Sequence, residues 1–231
     1  MTTCSTEYGR FSYFTFDTIG GAIATGVFWD AWLRPYFDQL GPEDVFVDVG
    51  ANIGFFTVYA ARARKAWVHA FEPSPEVFEL LKQNIEENGI ESRVKLYDVA
   101  LCDGETELCR NPKFTDLPEL SSGKIDYEHY HNSGCLSLVP GKDSSYIFAS
   151  KTMDSFRLPR VDLIKLDVQG MELKVLQGAK ETILNSNPVI CFEYDRAEES
   201  FEAYETFFGE IGYQPPMYVG GVDYVALPRR D

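Results

Sequence analysis

The chain is poor in what several protein classes depend on. Its five cysteines, Cys4, Cys102, Cys109, Cys135 and Cys191, are odd in number and form no Cys-x-x-Cys pair. A zinc ribbon or disulfide framework is therefore not expected, and the thiols read as reduced and structural. Positive charge is scarce: 21 Lys and Arg stand against 36 Asp and Glu, a net charge of −15. Nucleic-acid binding relies on cations that neutralise phosphates, so no nucleic-acid partner is expected. No apolar run approaches the roughly 18 residues of a membrane span. The opening MTTCSTEYGRF has neither the basic nor the apolar region of a signal peptide. A cytoplasmic protein is the resulting expectation, and nothing in the pattern sets an oligomeric state.

What is present is an alternation. The 231 residues suffice for one large domain, without internal repeats or low-complexity tracts. From residue 44 onward, short β-rich runs alternate with helical patterns, the signature of a mostly parallel sheet with crossover helices. Strands are expected at 45–49, 66–71, 94–97, 161–167 and 189–194. Helices are expected at 53–64, 75–88, 171–185 and 198–211. The tail, 213–219 and 222–227, reads as a hairpin about Gly220-Gly221. The alternation pauses at about 103–150, which reads as a short hairpin and long loops inserted in the α/β frame. Residues 1–43 read as an N-terminal extension with a helix near 29–40, preceding one α/β domain over 44–231. The alternating Phe11, Tyr13, Phe14 and Phe16 read as a half-buried strand.

The stretch FVDVGANIG sets an acid, Asp48, inside an otherwise apolar strand that runs into Gly50, Ala51, Asn52 and Gly54. Gly50 permits a sharp turn and Gly54 a close approach to the following helix. Asn52 tolerates a left-handed backbone, and the helix N-terminus is expected to turn unpaired amides toward the crevice. Alone, Gly-x-x-x-Gly is also explained by a bare turn. The next strand, however, ends in Phe71-Glu72-Pro73, with a carboxylate placed where doubly wound folds bind ribose hydroxyls. The third glycine of a dinucleotide fingerprint and a Walker lysine are both missing. That combination fits a ligand with a ribose and no phosphates, S-adenosylmethionine foremost, and speaks against an NAD-dependent oxidoreductase. Glu72 as a simple helix cap is the alternative.

Several motifs in order, FVDVGANIGFFTVYAA, HAFEPSPEVFELLKQNIEENG, VALCDGETEL, KTMDSF, VDLIKLDVQGMELKVLQGA, PVICFEY and IGYQP, resemble the FkbM-type methyltransferases from about residue 28 onward. The resemblance implies a class I methyltransferase fold: Rossmann-like, doubly wound, a mostly parallel seven-stranded sheet with a C-terminal antiparallel hairpin. It implies an S-adenosyl-L-methionine-dependent O-methyltransferase acting on a hydroxyl of a sugar or glycan. A macrolide or other natural-product acceptor, and a non-catalytic S-adenosylmethionine-binding partner subunit, remain alternatives. Asp48 and Gly50 would lie near the methionine part, with Asp48 facing backbone amides and, indirectly, the cationic methionine group, and Ala51, Asn52, Gly54 and Phe55 would also belong to the cofactor site. Glu72 and Pro73 would meet the ribose, and Asp98, Val99 and Ala100 the adenine. The segment from Lys165 to Glu172 resembles the family's K-I-D-V-E-G-x-E signature and would set Asp167 beside the methyl group. Gln169 stands where the family commonly has Glu, which puts any role of that acid in doubt here.

Methyl transfer to a hydroxyl needs alignment and a proton acceptor. Catalytic candidates are Asp167 and Glu193 at strand ends, and His129 and His131 in the inserted loops, whose near-neutral pKa suits proton removal. Each has a plainer reading. Asp167 and Glu172 also suit a helix N-terminus, the two histidines suit a solvated loop, and His69 reads as structural. Trp29, Trp32, Tyr127 and Tyr130 are candidates to stack on a sugar. A divalent metal on Asp167, Glu193 and a loop histidine has no compact ligand motif behind it, so no metal site is assigned.

Overall fold

A computed structural model describes residues 1–111, 132–142, 147–195 and 199–229. An antiparallel hairpin, β1 (Thr2–Ser5) and β2 (Arg10–Tyr13), leads into α1 (Thr18–Ala24) and α2 (Arg34–Phe37). The alternating part begins with β3 (Val45–Val49), α3 (Phe55–Val58), β4 (Trp67–Phe71), α4 (Pro75–Glu87) and β5 (Val94–Tyr97). Four short strands follow: β6 (Ala100–Leu101), β7 (Glu107–Arg110), β8 (Leu138–Pro140) and β9 (Ile147–Lys151). The chain closes with β10 (Leu163–Leu166), α5 (Glu172–Gln177), α6 (Lys180–Ser186), β11 (Val189–Glu193), α7 (Phe201–Glu210), β12 (Met217–Gly220) and β13 (Asp223–Ala226).

Seven strands form the main sheet in the order β12-β13-β11-β10-β3-β4-β5. The five from β11 to β5 are parallel, and β13 runs antiparallel between β11 and β12. Because side chains alternate across a strand, the register sorts the core into two layers. Val47, Val49, Ile164, Leu166, Ile190 and Phe192 face α5, α6 and α7. Phe46, Ala70, Leu163, Cys191 and Val225 face α3, α4 and the N-terminal segment. Connections leave β3 in one direction toward β4 and β5 and return to β10 on its other side. The strand order therefore switches between β3 and β10, where a crevice opens at the carboxyl ends.

Residues ahead of β3 share this core: Phe11, Phe28, Leu33 and Phe37 are buried against Phe55, Phe56 and Phe46. Two asparagines one helical turn apart join β2 to α4. Asn88 donates to the Arg10 carbonyl and accepts its amide. Asn84, fully buried, accepts the Ser12 amide at 2.6 Å and donates to the carbonyls of Ser12 (3.0 Å) and Ile53 (2.7 Å).

Four elements differ from the sequence expectation. The helix near 29–40 is reduced to α2, because Asp30 adopts a left-handed backbone (φ 47°) that a right-handed helix cannot propagate through. The helix over 171–185 is split at Gly178, where a β-carbon would overlap the Cys102 carbonyl. Asp154 then caps α6 from a distant segment, accepting the amides of Glu181 and Thr182. The described part of 103–150 is a sheet, β6-β9-β7-β8, rather than loops about one hairpin. It buries Ala100, Leu108, Leu138 and Phe148 on one side. The expected strand over Phe11–Phe16 ends at Tyr13, since Asp17 caps α1 by accepting the Gly20 amide.

Asn84→Ala would leave three backbone groups without partners in the core. A loss of about 2–4 kcal/mol is expected, read as a lower urea midpoint at unchanged slope. A change below about 0.5 kcal/mol would contradict this account of the junction.

Candidate functional site

The crevice floor is the turn after β3. Gly50 (φ 75°), Asn52 (φ 51°) and Gly54 (φ 90°) are all left-handed. A β-carbon on Gly50 would overlap the Asp167 carbonyl oxygen, so only glycine lets the turn lie this close to the end of β10. The turn spends its amides on itself. Those of Gly50 and Ala51 reach the Phe71 carbonyl, and that of Gly54 the Ala51 carbonyl. Asn52 N–H donates to Glu72 and Ile53 N–H to the Asn52 side chain. The amides of 50–54 are therefore all paired, and this turn offers no anion cradle of its own.

Glu72 is 6% exposed at the end of β4, and its two carboxylate oxygens accept the amides of Asn52 (3.0 Å) and Ser74 (2.9 Å). Burial pushes its pKa up to about 7 against the lowering by those amides. Each oxygen keeps one lone pair for a further donor. Beside it runs an apolar cleft lined by Phe71, Pro73, Val99, Ala100, Leu101, Leu108, Leu138 and Met171, with Gly50, Asn52, Asp167 and Gln169 supplying its polar groups. Over the cleft lies the segment 132–138. Ser133 N–H donates to Asp17 (2.7 Å), Ser133 Oγ–H to Asn52 (3.0 Å), and Ser137 Oγ–H to the Gln169 carbonyl (2.7 Å).

On the sheet face opposite α5 to α7, apolar residues give way to charged ones at the carboxyl ends. Phe46 is followed by Asp48, Leu163 by Lys165 and Asp167, and Cys191 by Glu193, which the register sets beside Asp223. Lys165 is 4% exposed. Its ammonium donates to Asp167 at 2.9 Å and lies over the Phe56 ring at 5.0 Å. Burial opposes its charge, but Asp167 and Asp48 outweigh burial and hold it well above the usual lysine range. Burial likewise pushes Asp167 up, yet Lys165 and the Gln169 amide hold it below the usual carboxylate range. Glu193 goes the other way, raised by burial and then by Asp167.

Asp48 does not face the turn's amides, as expected from sequence. It is 1% exposed, accepts the Thr57 hydroxyl at 2.6 Å and lies in the field of Lys165, and Oδ1 has no hydrogen-bond partner among the described residues. Burial pushes the Asp48 pKa up, and Lys165 and the Thr57 hydroxyl act against that rise.

Gln169 is the hinge of the polar edge. Its backbone is left-handed (φ 55°), and its side-chain amide donates to both Asp167 (3.0 Å) and Glu193 (2.8 Å). Glu172 supports that conformation by accepting the amides of Val168 and Gly170, each at 3.0 Å. Its part is to pin the turn, in keeping with its place in the first turn of α5. An ionised Glu at 169 has no donor for this bridge, so the departure from the family signature is matched to the two acids it joins.

The cleft gathers Gly50, Asn52, Glu72, Pro73, Val99, Ala100 and Asp167. It does not gather the others. Asp48 lies on the far side of the Gly50 turn, and Ala51 is buried. Gly54 is packed against Leu81, and Phe55 sits in the aromatic core with Tyr8 and Phe28. Asp98 is exposed beyond β5. His129, His131, Tyr127 and Tyr130 lie outside the described residues. His69 bonds the Tyr97 hydroxyl at 2.8 Å within the sheet. Among the described residues no three His, Cys, Asp or Glu side chains are arranged to hold a metal ion, and no helix is long and apolar enough to cross a membrane. Unforeseen in the sequence were Ser133, Asp17, Asp30 and Asp223, which carry no local motif.

This sheet order and crevice are those of the class I methyltransferases. The likeness extends to a crystal structure of the methyltransferase FkbM from Methylobacillus flagellatus KT, at a TM-score of 0.57 and 14% identity, covering 94% of this chain and 48% of that one. The Methyltransferase FkbM domain matches residues 48–215, and the chain belongs to that family. It is 28% identical over 160 residues to the hexuronic acid methyltransferase AglP of Haloferax volcanii, covering 68% of this chain and 59% of AglP. It is 29% identical over 171 residues to the 2-O-methyltransferase NoeI of Sinorhizobium fredii, covering 68% of this chain and 65% of NoeI. The chain therefore spans about three-fifths of the length of these relatives.

Replacing Gln169 by Met removes the amide donor while keeping the side-chain length. The Asp167 carboxyl should then titrate at higher pH, read by carbon-13 NMR with Asp167→Asn as the assignment control. An unshifted or lower value would show that Gln169 does not hold that charge.

Proposed function

We propose that the cleft binds S-adenosylmethionine and that the chain transfers its methyl group to a hydroxyl oxygen of a sugar or glycan. The observation that carries this reading is one cleft holding both a ribose-type acceptor, Glu72, and an ionised carboxylate, Asp167, about a turn with no phosphate cradle. The residues fit the cofactor. Glu72 has two lone pairs left for the two ribose hydroxyls, and the apolar walls suit a purine. The spent amides of 50–54 disfavour a diphosphate, which also argues against a dinucleotide. Family membership and the names of AglP and NoeI support methyl transfer to an oxygen of a sugar.

Bound in this orientation, S-adenosylmethionine supplies a methyl carbon on a positively charged sulfur. Asp167 accepts a hydrogen bond from the acceptor hydroxyl and aligns its oxygen with that carbon. Its low pKa is no obstacle, because the hydroxyl proton becomes strongly acidic as the oxygen is alkylated, and an ionised carboxylate can then take it. Lys165 and Gln169 keep Asp167 ionised and fixed. Glu193 holds the other end of Gln169 and borders the acceptor side. The 132–138 segment lines the cleft through Ser133, Gly134, Leu136 and Leu138.

Two measurements test this reading. Glu72→Ala should weaken S-adenosylhomocysteine binding by roughly 1–3 kcal/mol in calorimetry, the size of lost charge-assisted hydrogen bonds. In the wild-type protein the hydroxyls favour the ionised form of a carboxyl that titrates at about 7. Binding should thus release a proton below that pH, and affinity should fall up to about tenfold per pH unit as pH drops further. Flat affinity from pH 5 to 8 would remove Glu72 from the site. Asp167→Asn should lower kcat by about 10² or more while changing that affinity far less. Equal losses in both would assign Asp167 to binding instead.

A further inference from the structure

One wall of the cofactor cleft is anchored by a residue that lies outside the Methyltransferase FkbM domain match at 48–215. The wall is the segment 132–138. It starts in a single tight helical turn, Ser133–Cys135, where the Asn132 side chain accepts the Gly134 amide. The Ser133 amide is donated instead to Asp17, and the Ser133 hydroxyl to the Asn52 side chain. Gly134 packs so tightly that a β-carbon there would overlap Ile19 of α1 and press on Asn52. At its other end the segment is tied by the Ser137 hydroxyl to the Gln169 carbonyl. It is thus strapped between the two left-handed turns that floor the crevice, those of Asn52 and Gln169.

Asp17 does two things at once. It is 3% exposed, and its two carboxylate oxygens serve different segments. Oδ2 accepts the Gly20 amide at 2.8 Å and caps α1, while Oδ1 accepts the Ser133 amide at 2.7 Å. From Ser133 the hydrogen bonds continue inward. Asn52 Oδ1 accepts the Ser133 hydroxyl and the Ile53 amide, and the Asn52 amide donates to Glu72. One unbroken line therefore runs from the start of α1, through Asp17, Ser133 and Asn52, to the carboxylate that faces the cleft. Asp17 does not itself line the cleft, so it acts on a bound ligand only through Ser133. A ligand walled by a segment tied at both ends leaves faster when one tie is cut, because such a loss shows mainly in dissociation.

We infer that Asp17 and Ser133 are positioning residues of the cofactor site: they hold the segment 132–138 against the cleft and so set how long a bound nucleoside stays. The inference rests on the cofactor reading above. It makes the residues ahead of β3 a working part of the site, through one carboxylate.

The test is the dissociation rate of S-adenosylhomocysteine from the full chain, followed by stopped flow. Ser133→Ala removes the hydroxyl tie and leaves Asn52 Oδ1 its bond to the Ile53 amide, so the turn keeps its form. Dissociation should become about three- to tenfold faster, the size of one lost hydrogen bond. Asp17→Asn leaves one acceptor oxygen for two amides. That oxygen can still cap α1, and the same acceleration is expected as the Ser133 tie is lost. Asn88→Ala cuts the junction between β2 and α4 without touching the segment. It should lower the urea midpoint and leave dissociation unchanged. Unchanged dissociation in folded Ser133→Ala and Asp17→Asn overturns the inference, as does an equal acceleration in Asn88→Ala, which would assign the effect to general loss of stability. If neither of the two variants folds, hydrogen exchange of the wild-type protein decides. S-adenosylhomocysteine should slow exchange over 132–138 and α1 together, and unaltered exchange over 132–138 overturns the inference. A wild-type protein that binds no S-adenosylhomocysteine overturns the cofactor reading, and this inference with it.

Discussion

The charged end of the sheet depends on one buried ammonium. Lys165 lies in the middle of β10, flanked in register by Asp48 on β3 and Cys191 on β11, with the Phe56 ring over its charge. Removing one partner from a buried ion pair commonly costs ~3–5 kcal/mol, because an unpaired charge is left behind. Here the ammonium answers several carboxyls at once. It acts against the rise that burial imposes on Asp48, and it keeps Asp167 ionised at the crevice. The acid that looked out of place in FVDVGANIG is therefore one half of an arrangement whose other half lies over a hundred residues downstream.

A second constraint is the closeness of the Gly50 turn to the end of β10. Because the Asp167 carbonyl occupies the space a side chain would need, turn and strand end form one rigid floor. The amides of that floor are consumed by Phe71, Glu72 and the turn's own groups. A phosphate thus finds no free amide in residues 50–54, while Glu72 remains as an acceptor for further donors. The same local chemistry that builds the turn decides which ligands it suits.

The frame was legible in the sequence because its signals are local. Short β-rich runs alternating with helical patterns marked β3 through β5 and β10 through α7, and Phe71-Glu72-Pro73 marked a strand end. What escaped was tertiary. The break at Gly178 follows from the Cys102 backbone packed against it, and the cap on α6 comes from Asp154. The left-handed turn at Asp30 is stated by no motif. The cleft's second wall, β6 to β9, is built of strands two to five residues long, too short to show a period. At the site, Gly50, Glu72 and Asp167 were legible as strand-end motifs. Asp223 and Ser133 act through partners far away in sequence, as does the Asp17 oxygen that accepts the Ser133 amide, and Gln169 read as a departure until its two carboxylate partners were seen.

The proposed cofactor geometry sets the ribose at Glu72, the purine between the apolar walls and the sulfur toward Asp167. A crystal structure with S-adenosylhomocysteine tests that claim most directly. The account predicts both ribose hydroxyls within hydrogen-bond distance of the Glu72 carboxylate, and the sulfur on the Asp167 side of the Gly50 turn. A nucleoside bound elsewhere, or a sulfur turned away from Asp167, would contradict it.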